Sequence, residues 1–136
     1  MDKIFNGMSV ITAMAGGIIA VLFGAWDKLL YTLMILMVLD YALGIIKAVY
    51  TKTLSSEIGF KGLLKKIAML VIVALANTIQ NLMGGNVAVR EIVIMFYIAN
   101  EGISILENAA VILPQMPEKL KDILLQLRGD NNENRH

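Results

Sequence analysis

Four long apolar runs dominate the sequence. The first extends from Ile4 to Trp26 and carries no charged side chain over about 23 residues, slightly more than a helix needs to cross the hydrocarbon core of a bilayer. The other three runs cover residues 29–49, 67–89 and 92–113. Because backbone polar groups inside a bilayer must be satisfied within the protein, such runs form helices. The sequence therefore predicts an all-α integral membrane helical bundle with four transmembrane helices, or with three if one run lies flat.

The chain is too apolar for an ordinary soluble domain. It has 136 residues, of which 57% are hydrophobic and only 17% charged, and this length suits one domain. A soluble helical bundle is the weaker alternative, because a chain of this size cannot bury so much apolar surface. A cleaved signal peptide is also disfavoured. Its apolar region is typically about 7–15 residues long, and no small-residue cleavage motif follows Trp26.

The rare residue types exclude several functions. The net charge of +1 argues against a nucleic-acid partner. The absence of cysteine excludes disulfides and thiolate metal sites, and the single histidine is His136 at the end of the chain. Neither a serine–histidine nucleophilic pair nor a glycine-rich phosphate loop is present. We therefore expect a protein that is not an enzyme and has no catalytic residues, no metal and no cofactor.

Charge in the connections predicts the orientation. The segment 50–66 contains four lysines and one acid, Glu57, and this positive excess predicts a cytoplasmic location with attraction to anionic lipid head groups. The connections Asp27–Lys28 and Arg90–Glu91 carry no net charge, as expected outside. Four crossings then put both termini on the same side as this segment, which is the cytoplasm.

The C-terminal segment 114–136 differs in character from the transmembrane domain 1–113. Pro114 and Pro117 end the fourth run. Residues 118–127 place leucine and isoleucine on one helical face, which predicts a cytoplasmic amphipathic helix for the membrane surface or a neighbouring subunit. Gly129–His136 is polar and predicted to be disordered.

Three of the apolar runs contain polar residues, and within each run these residues lie on one face of the helix. An ionisable residue at membrane depth usually faces a partner helix or a watery cavity and marks a functional site. We predict that these residues line a pore or a helix interface. They are Asp40, Gly44 and Lys47 in the second run, Asn77 and Gln80 in the third, and Glu101, Ser104, Glu107 and Asn108 in the fourth.

Some of these residues on the second and fourth helices lie at the same predicted depth in the membrane. With a rise of about 1.5 Å per residue, Asp40 and Glu101 both lie near mid-membrane, and Lys47 lies near Glu107 at the cytoplasmic boundary. We therefore predict that Lys47 contacts Glu107 or Asn108. If Asp40 and Glu101 are neighbours, they cannot both ionise at low cost, so at least one is protonated or faces water.

A small-residue face is predicted on the first helix. Gly16, Ala20 and Gly24 recur every fourth residue, which lets another helix approach closely. The alternative is that glycine is simply frequent in membrane helices.

Three stretches together resemble a known family. They read LDYALGIIKAVYTKTLSSEIGFKGLLKK, IANEGISILENAA and PEKLKDILLQL, within roughly residues 26–127. In this order they closely resemble the phage holins of the toxin-secretion/phage-lysis family, which includes the clostridial TcdE-like proteins. The family pattern maps onto Asp40, Gly44, Lys47, Ser55, Ser56, Gly59, Gly62, Lys65, Lys66, Arg90, Asn100, Glu101, Ser104, Glu107 and Asn108.

The resemblance implies a small inner-membrane protein that oligomerises and then opens large lesions. Through these lesions an endolysin, or in some relatives a large toxin, leaves the cell. Family members have three or four crossings, and relatives often carry a charged residue in the third span, where this chain has Asn77 and Gln80.

Two alternative functions remain open from the residues. A small proton- or cation-coupled transporter would use Asp40 and Glu101 to bind the coupled ion. An accessory membrane subunit would need a dedicated partner. The holin interpretation is favoured because the polar stripes extend along the helices instead of converging on one compact pocket.

Overall fold

The computed structural model describes residues 2–115 and 117–129, and this part of the chain forms five α-helices. They are α1 (Asp2–Phe23), α2 (Lys28–Tyr50), α3 (Ser56–Leu82), α4 (Val89–Ile112) and α5 (Glu118–Arg128). The prediction of an all-α chain is confirmed over these residues. By length and composition, α1 and α2 are apolar enough to cross a membrane.

Local signals explain where the helices begin and end. The Asp27 carboxylate accepts a hydrogen bond from the Leu30 N–H at 2.9 Å and so caps the start of α2. The Ser55 hydroxyl accepts one from the Ile58 N–H at 3.2 Å and caps α3. Gly84 and Gly85 both adopt positive φ after α3, and this conformation, which glycine tolerates best, turns the chain back.

Helices α2, α3 and α4 form the bundle, with α2 and α4 running parallel and packed most extensively against each other. Residues of α2 that face the bundle follow alternating steps of three and four, the spacing of a coiled-coil seam. An apolar core fills one half of this seam. It consists of Leu30, Leu33, Met37, Val73 and Ile94.

Helices α1 and α5 lie outside this bundle and contact it in different ways. No residue of α1 is buried, and this helix contacts the bundle near its C-terminal end, where Asn77 donates hydrogen bonds to the carbonyls of Val21 and Leu22 at 3.2 and 3.1 Å. Helix α5 folds back along α4. A Cβ atom on Gly102 would lie 2.7 Å from Leu124 Cδ2, so the absence of a side chain there lets α5 lie close.

Three helix boundaries differ from the limits of the apolar runs. The first helix ends at Phe23 instead of Trp26, because Gly24 adopts a φ of +77°. Most of the predicted cytoplasmic connection 50–66 is helical, since Ser55 caps a helix that begins at Ser56. The third apolar run extends to residue 89, but the helix ends at Leu82, because Gly84 and Gly85 follow with positive φ.

The predicted amphipathic helix is present as α5. Leu124 contacts α4, whereas Leu120, Ile123 and Leu127 remain 43–46% exposed. The apolar face is thus shared between α4 and the surroundings. Residues 130–136 of the predicted disordered tail lie outside the described part of the chain.

Candidate functional site

A lysine bridges two carboxylates in the middle of the bundle. Lys66 Nζ lies 2.7 Å from Asp40 Oδ2 and 2.6 Å from Glu101 Oε2. The three residues come from α3, α2 and α4, so the contact joins all the helices of the bundle. Asp40 and Glu101 are only 8% and 5% exposed. Buried carboxylates of this kind depend on a partner, because removal of a charge from water is costly.

A second set of hydrogen bonds extends the contact along α2 and α4. The Asn108 amide donates to Asp40 Oδ1 at 3.3 Å, and Lys47 Nζ donates to Asn108 Oδ1 at 3.4 Å. The predicted contact between Lys47 and Asn108 is confirmed. Glu107 instead is exposed and lines a cleft of about 530 Å³ between α4 and α5. We call the five residues Asp40, Lys47, Lys66, Glu101 and Asn108 the ionic cluster.

Heptad spacing explains why these side chains meet. Leu33, Asp40 and Lys47 are seven residues apart on α2, as are Ile94, Glu101 and Asn108 on α4. Two parallel helices with matching heptad positions bring equivalent side chains to the same level of their shared seam. The leucine and isoleucine supply the apolar core, and the polar members form the ionic cluster below it.

The charges of the ionic cluster balance. Asp40 and Glu101 supply two negative charges, and Lys47 and Lys66 supply two positive charges. The sequence predicted that neighbouring Asp40 and Glu101 need protonation or water. The structure adds a third arrangement, a shared ammonium group, which compensates two carboxylates in one place.

A second charged contact closes the opposite end of the bundle. The Arg90 guanidinium, 4% exposed, donates to both carboxylate oxygens of Asp27 at 2.9 and 3.2 Å. It also donates to the carbonyls of Phe23 and Ala25. The hydrogen bond from Arg90 and the backbone N–H of Leu30 hold the pKa of Asp27 below its usual range, against the effect of burial. We call Arg90 with these partners the arginine clamp.

The two amides predicted in the third run support this clamp. Asn77 binds the last carbonyls of α1, as described above, and Gln80 Oε1 accepts a hydrogen bond from the Arg90 N–H at 2.8 Å. In this chain they therefore lie at helix interfaces near the arginine clamp. Ser104 is partly buried and makes no hydrogen bond through its side chain to any residue that the structure describes.

The predicted small-residue face is divided. Apart from adjacent residues and the backbone of its own helix, no described atom lies within 4 Å of a Cβ placed on Gly16, so this part of α1 is uncovered in one copy of the chain. Gly24 lies beyond the helix end, and a Cβ there would be 2.9 Å from both Arg90 Nε and Asn77 Oδ1. Gly24 therefore does not share a helical face with Gly16 and Ala20, and packing through those two residues stays a prediction. The backbone of Gly24 fits beneath the arginine clamp instead.

A groove of about 380 Å³ adjoins the ionic cluster. It lies between the last turns of α2, the first turns of α3 and the connection between them. Lys47 and Lys65 line it together with apolar residues such as Leu54 and Ile58. In residues 2–115 and 117–129, no three histidine, cysteine, aspartate or glutamate side chains are grouped to hold a metal ion.

The predicted site left out two central residues, Lys66 and Arg90, although the family pattern includes both. Lys66 was assigned to a polar connection, although steps of three and four lead backward from Gln80 and Asn77 through Val73 and Leu70 to this residue. That spacing was the available signal. Arg90 was assigned to a neutral connection with Glu91, and nothing local distinguishes a buried arginine from an exposed one.

Comparison with known protein families gives a match over most of the chain. The sequence pattern of the bacteriophage holin family matches residues 17–129. The chain belongs to the bacteriophage holin family. A probable holin of Bacillus phage phi105 is 36% identical over 114 residues, 84% of each chain. Membership identifies a membrane protein and supports a holin role without enzymatic activity.

Further relatives of this holin-family chain occur in bacteria. An uncharacterized 14.9 kDa protein of Clostridium perfringens is 41% identical over 130 residues, covering 95% of this chain and 98% of the relative. An uncharacterized protein of Listeria monocytogenes is 42% identical over 123 residues, covering 89% and 88%. No solved structure matches the chain.

Proposed function

We propose that this chain is a holin that oligomerises in the bacterial inner membrane and forms lesions that release an endolysin, or a large toxin, for host-cell lysis. The observation that carries the proposal is the ionic cluster, a balanced set of charges buried inside an otherwise apolar bundle. Such a set is compatible with lipid outside the bundle while its members contact each other. The same residues are able to line water when the helices separate.

The proposed resting state is held closed by Lys66. When α2 separates from α4 in an oligomer, the contacts of Asp40 and Glu101 with Lys66 break. The cost of exposing these groups to lipid is prohibitive, whereas exposure to a water-filled opening restores their hydration. Opening therefore favours large hydrated lesions over small dry gaps.

The proposed topology has four crossings, with both termini and the start of α3 in the cytoplasm. Helices α3 and α4 contain 27 and 24 residues, lengths sufficient to cross the hydrocarbon core. Their charged residues, Lys66 and Glu101, contact each other inside the bundle and so avoid lipid. A three-crossing arrangement, with α1 on the surface, remains the alternative because α1 touches the bundle near one end.

The test is induced expression in a bacterium. Culture density is followed together with entry of a dye that an intact membrane excludes. We expect a silent lag followed by abrupt dye entry, and lysis when an endolysin is co-expressed. Steady growth with an intact membrane at matched protein levels would contradict the proposal.

An ion-coupled transporter is a second candidate, favoured by one observation. Asp40, Lys66 and Glu101 meet at one level of the bundle, although Lys47 and Asn108 extend the polar contacts along α2 and α4. Against a transporter, both carboxylates already contact Lys66, and a coupled ion would have to displace that ammonium group. Substrate flux without dye entry would support the transporter.

A further inference from the structure

The groove beside the ionic cluster contains more positive charge than its neighbours compensate. Lys66 contacts two carboxylates, but Lys47 and Lys65 lie farther than salt-bridge distance from every acid that the structure describes. Lys47 is half-buried, and its ammonium group donates a hydrogen bond to the neutral amide of Asn108. Lys47 and Lys65 therefore border one cavity without an ion pair, because Asp40, the acid that lines the same groove, already contacts Lys66.

The remaining lining is suited to a lipid more than to a small anion. Leu54 and Ile58 are 53% and 51% exposed and form an apolar wall, together with Ile45. The Thr53 side chain adds a hydroxyl group to the lining. An apolar wall beside uncompensated ammonium groups matches a phosphate attached to a glycerol backbone and the first carbons of an acyl chain.

We propose that this groove binds one anionic phospholipid through its phosphate, between Lys47 and Lys65. The groove lies at the end of the bundle where α2 finishes and α3 begins, which the four-crossing topology assigns to the cytoplasmic leaflet. The inference thus rests on the proposed topology. The lipid compensates Lys47 and Lys65 and leaves the contacts of Lys66 intact, so it stabilises the closed bundle by mass action.

The experiment uses the full chain purified in a neutral detergent. Phosphatidylglycerol and phosphatidylcholine are titrated separately, and thermal unfolding reports binding. We expect a saturable rise in Tm with phosphatidylglycerol alone. The Lys47→Gln/Lys65→Gln variant should bind this lipid on the order of tenfold more weakly, because each lysine contributes to the attraction. The Lys47→Arg/Lys65→Arg variant should retain binding.

The matched control is Lys52→Gln/Lys61→Gln, which removes two charges from the same region outside the groove lining. It should bind within about twofold of the original chain, since the local contacts remain. Equal losses in both double variants would overturn the proposal in favour of general surface attraction. Equal binding of the two lipids would overturn it as well.

Two further arms separate the possible outcomes. Glycerol 3-phosphate at matched concentration should not displace the lipid, and efficient displacement would show a small-anion site instead. Dye entry into vesicles of phosphatidylcholine alone tests permeabilisation without the anionic lipid. Binding of phosphatidylglycerol that depends on Lys47 and Lys65, without dye entry into any vesicle, would contradict the holin function. The lipid site would still be established.

Discussion

At the scale of single residues, Lys66 joins the three helices of the bundle through its two ion pairs. It compensates two buried carboxylates, and its side chain is itself 14% exposed. Removal of a partner from a buried ionic contact usually costs about 3–5 kcal/mol, because the remaining charge is left unpaired. Loss of Lys66 would leave two such charges, whereas loss of Glu101 would leave the balanced contact between Lys66 and Asp40.

This difference predicts an order of effects. Lys66→Gln should destabilise the purified chain by about 3–5 kcal/mol and shorten the lag before dye entry, whereas Glu101→Gln should cost about 1–2 kcal/mol. Denaturant unfolding in micelles and the time of dye entry measure the two effects. The control is Lys61→Gln on the same helix, since its contact with Glu57 is 73–75% exposed and contributes little. Equal stability of the Lys66 and Lys61 variants would contradict the closing role of Lys66.

Asp27 gives the arginine clamp a defined pH dependence. Its folded pKa lies below the unfolded value, chiefly through the hydrogen bond from Arg90. The contact therefore stabilises the fold fully above about pH 4, the ordinary aspartate range, and this stabilisation is lost as pH falls through the folded pKa. We expect Tm to fall on acidification below about pH 4, and to fall less in Asp27→Asn, which retains a capping side chain. An identical acid response in both proteins would exclude Asp27 as its source.

At the scale of helices, glycine acts in two different ways on and just after α1. Gly24 ends the helix with positive φ and lets Arg90 and Asn77 approach, whereas Gly16 lies within the helix with open space around it. Both belong to the same four-residue repeat in the sequence. Only the position of the helix end separates their roles.

A pair of alanine substitutions tests this distinction. Gly24→Ala should destabilise the chain by about 1–3 kcal/mol, because it strains the backbone and displaces the arginine clamp. Gly16→Ala should leave stability unchanged or raise it by about 0.5–1 kcal/mol, as in any exposed helix interior. If Gly16 and Ala20 form a contact between copies, Gly16→Leu should reduce chemical cross-linking between chains without loss of Tm. Destabilisation by Gly16→Ala would show a contact within one chain instead.

At the scale of the whole molecule, polarity changes along the bundle. The arginine clamp lies at one end, the apolar core follows, the ionic cluster comes next, and the groove lies at the opposite end. Helix α1 stands apart with large apolar side chains such as Ile4 and Phe5 more than 70% exposed. An exposed apolar surface of this extent is expected to contact lipid or neighbouring copies of the chain.

The number of crossings is measurable because the chain contains no cysteine. Single cysteines at Asn6, Thr53 and Asn86 are treated with a membrane-impermeant maleimide applied outside intact cells, before dye entry begins. Four crossings predict labelling at position 86 but not at 6 or 53. Labelling at both 6 and 86 would show three crossings with α1 outside. Labelling at 53 before dye entry would reverse the predicted orientation.

The sequence by itself determined the helices and much of their register. Apolar runs and capping residues are local, so α2 and α4 were predicted closely, and equal rise along parallel helices anticipated the contact of Lys47 with Asn108. Only the tertiary structure decided that Lys66 reaches two carboxylates, that Arg90 is buried and that α5 folds back over Gly102. These contacts depend on the rotation of each helix about its axis and on the reach of long side chains across the bundle. Neither quantity is a property of a local stretch of sequence.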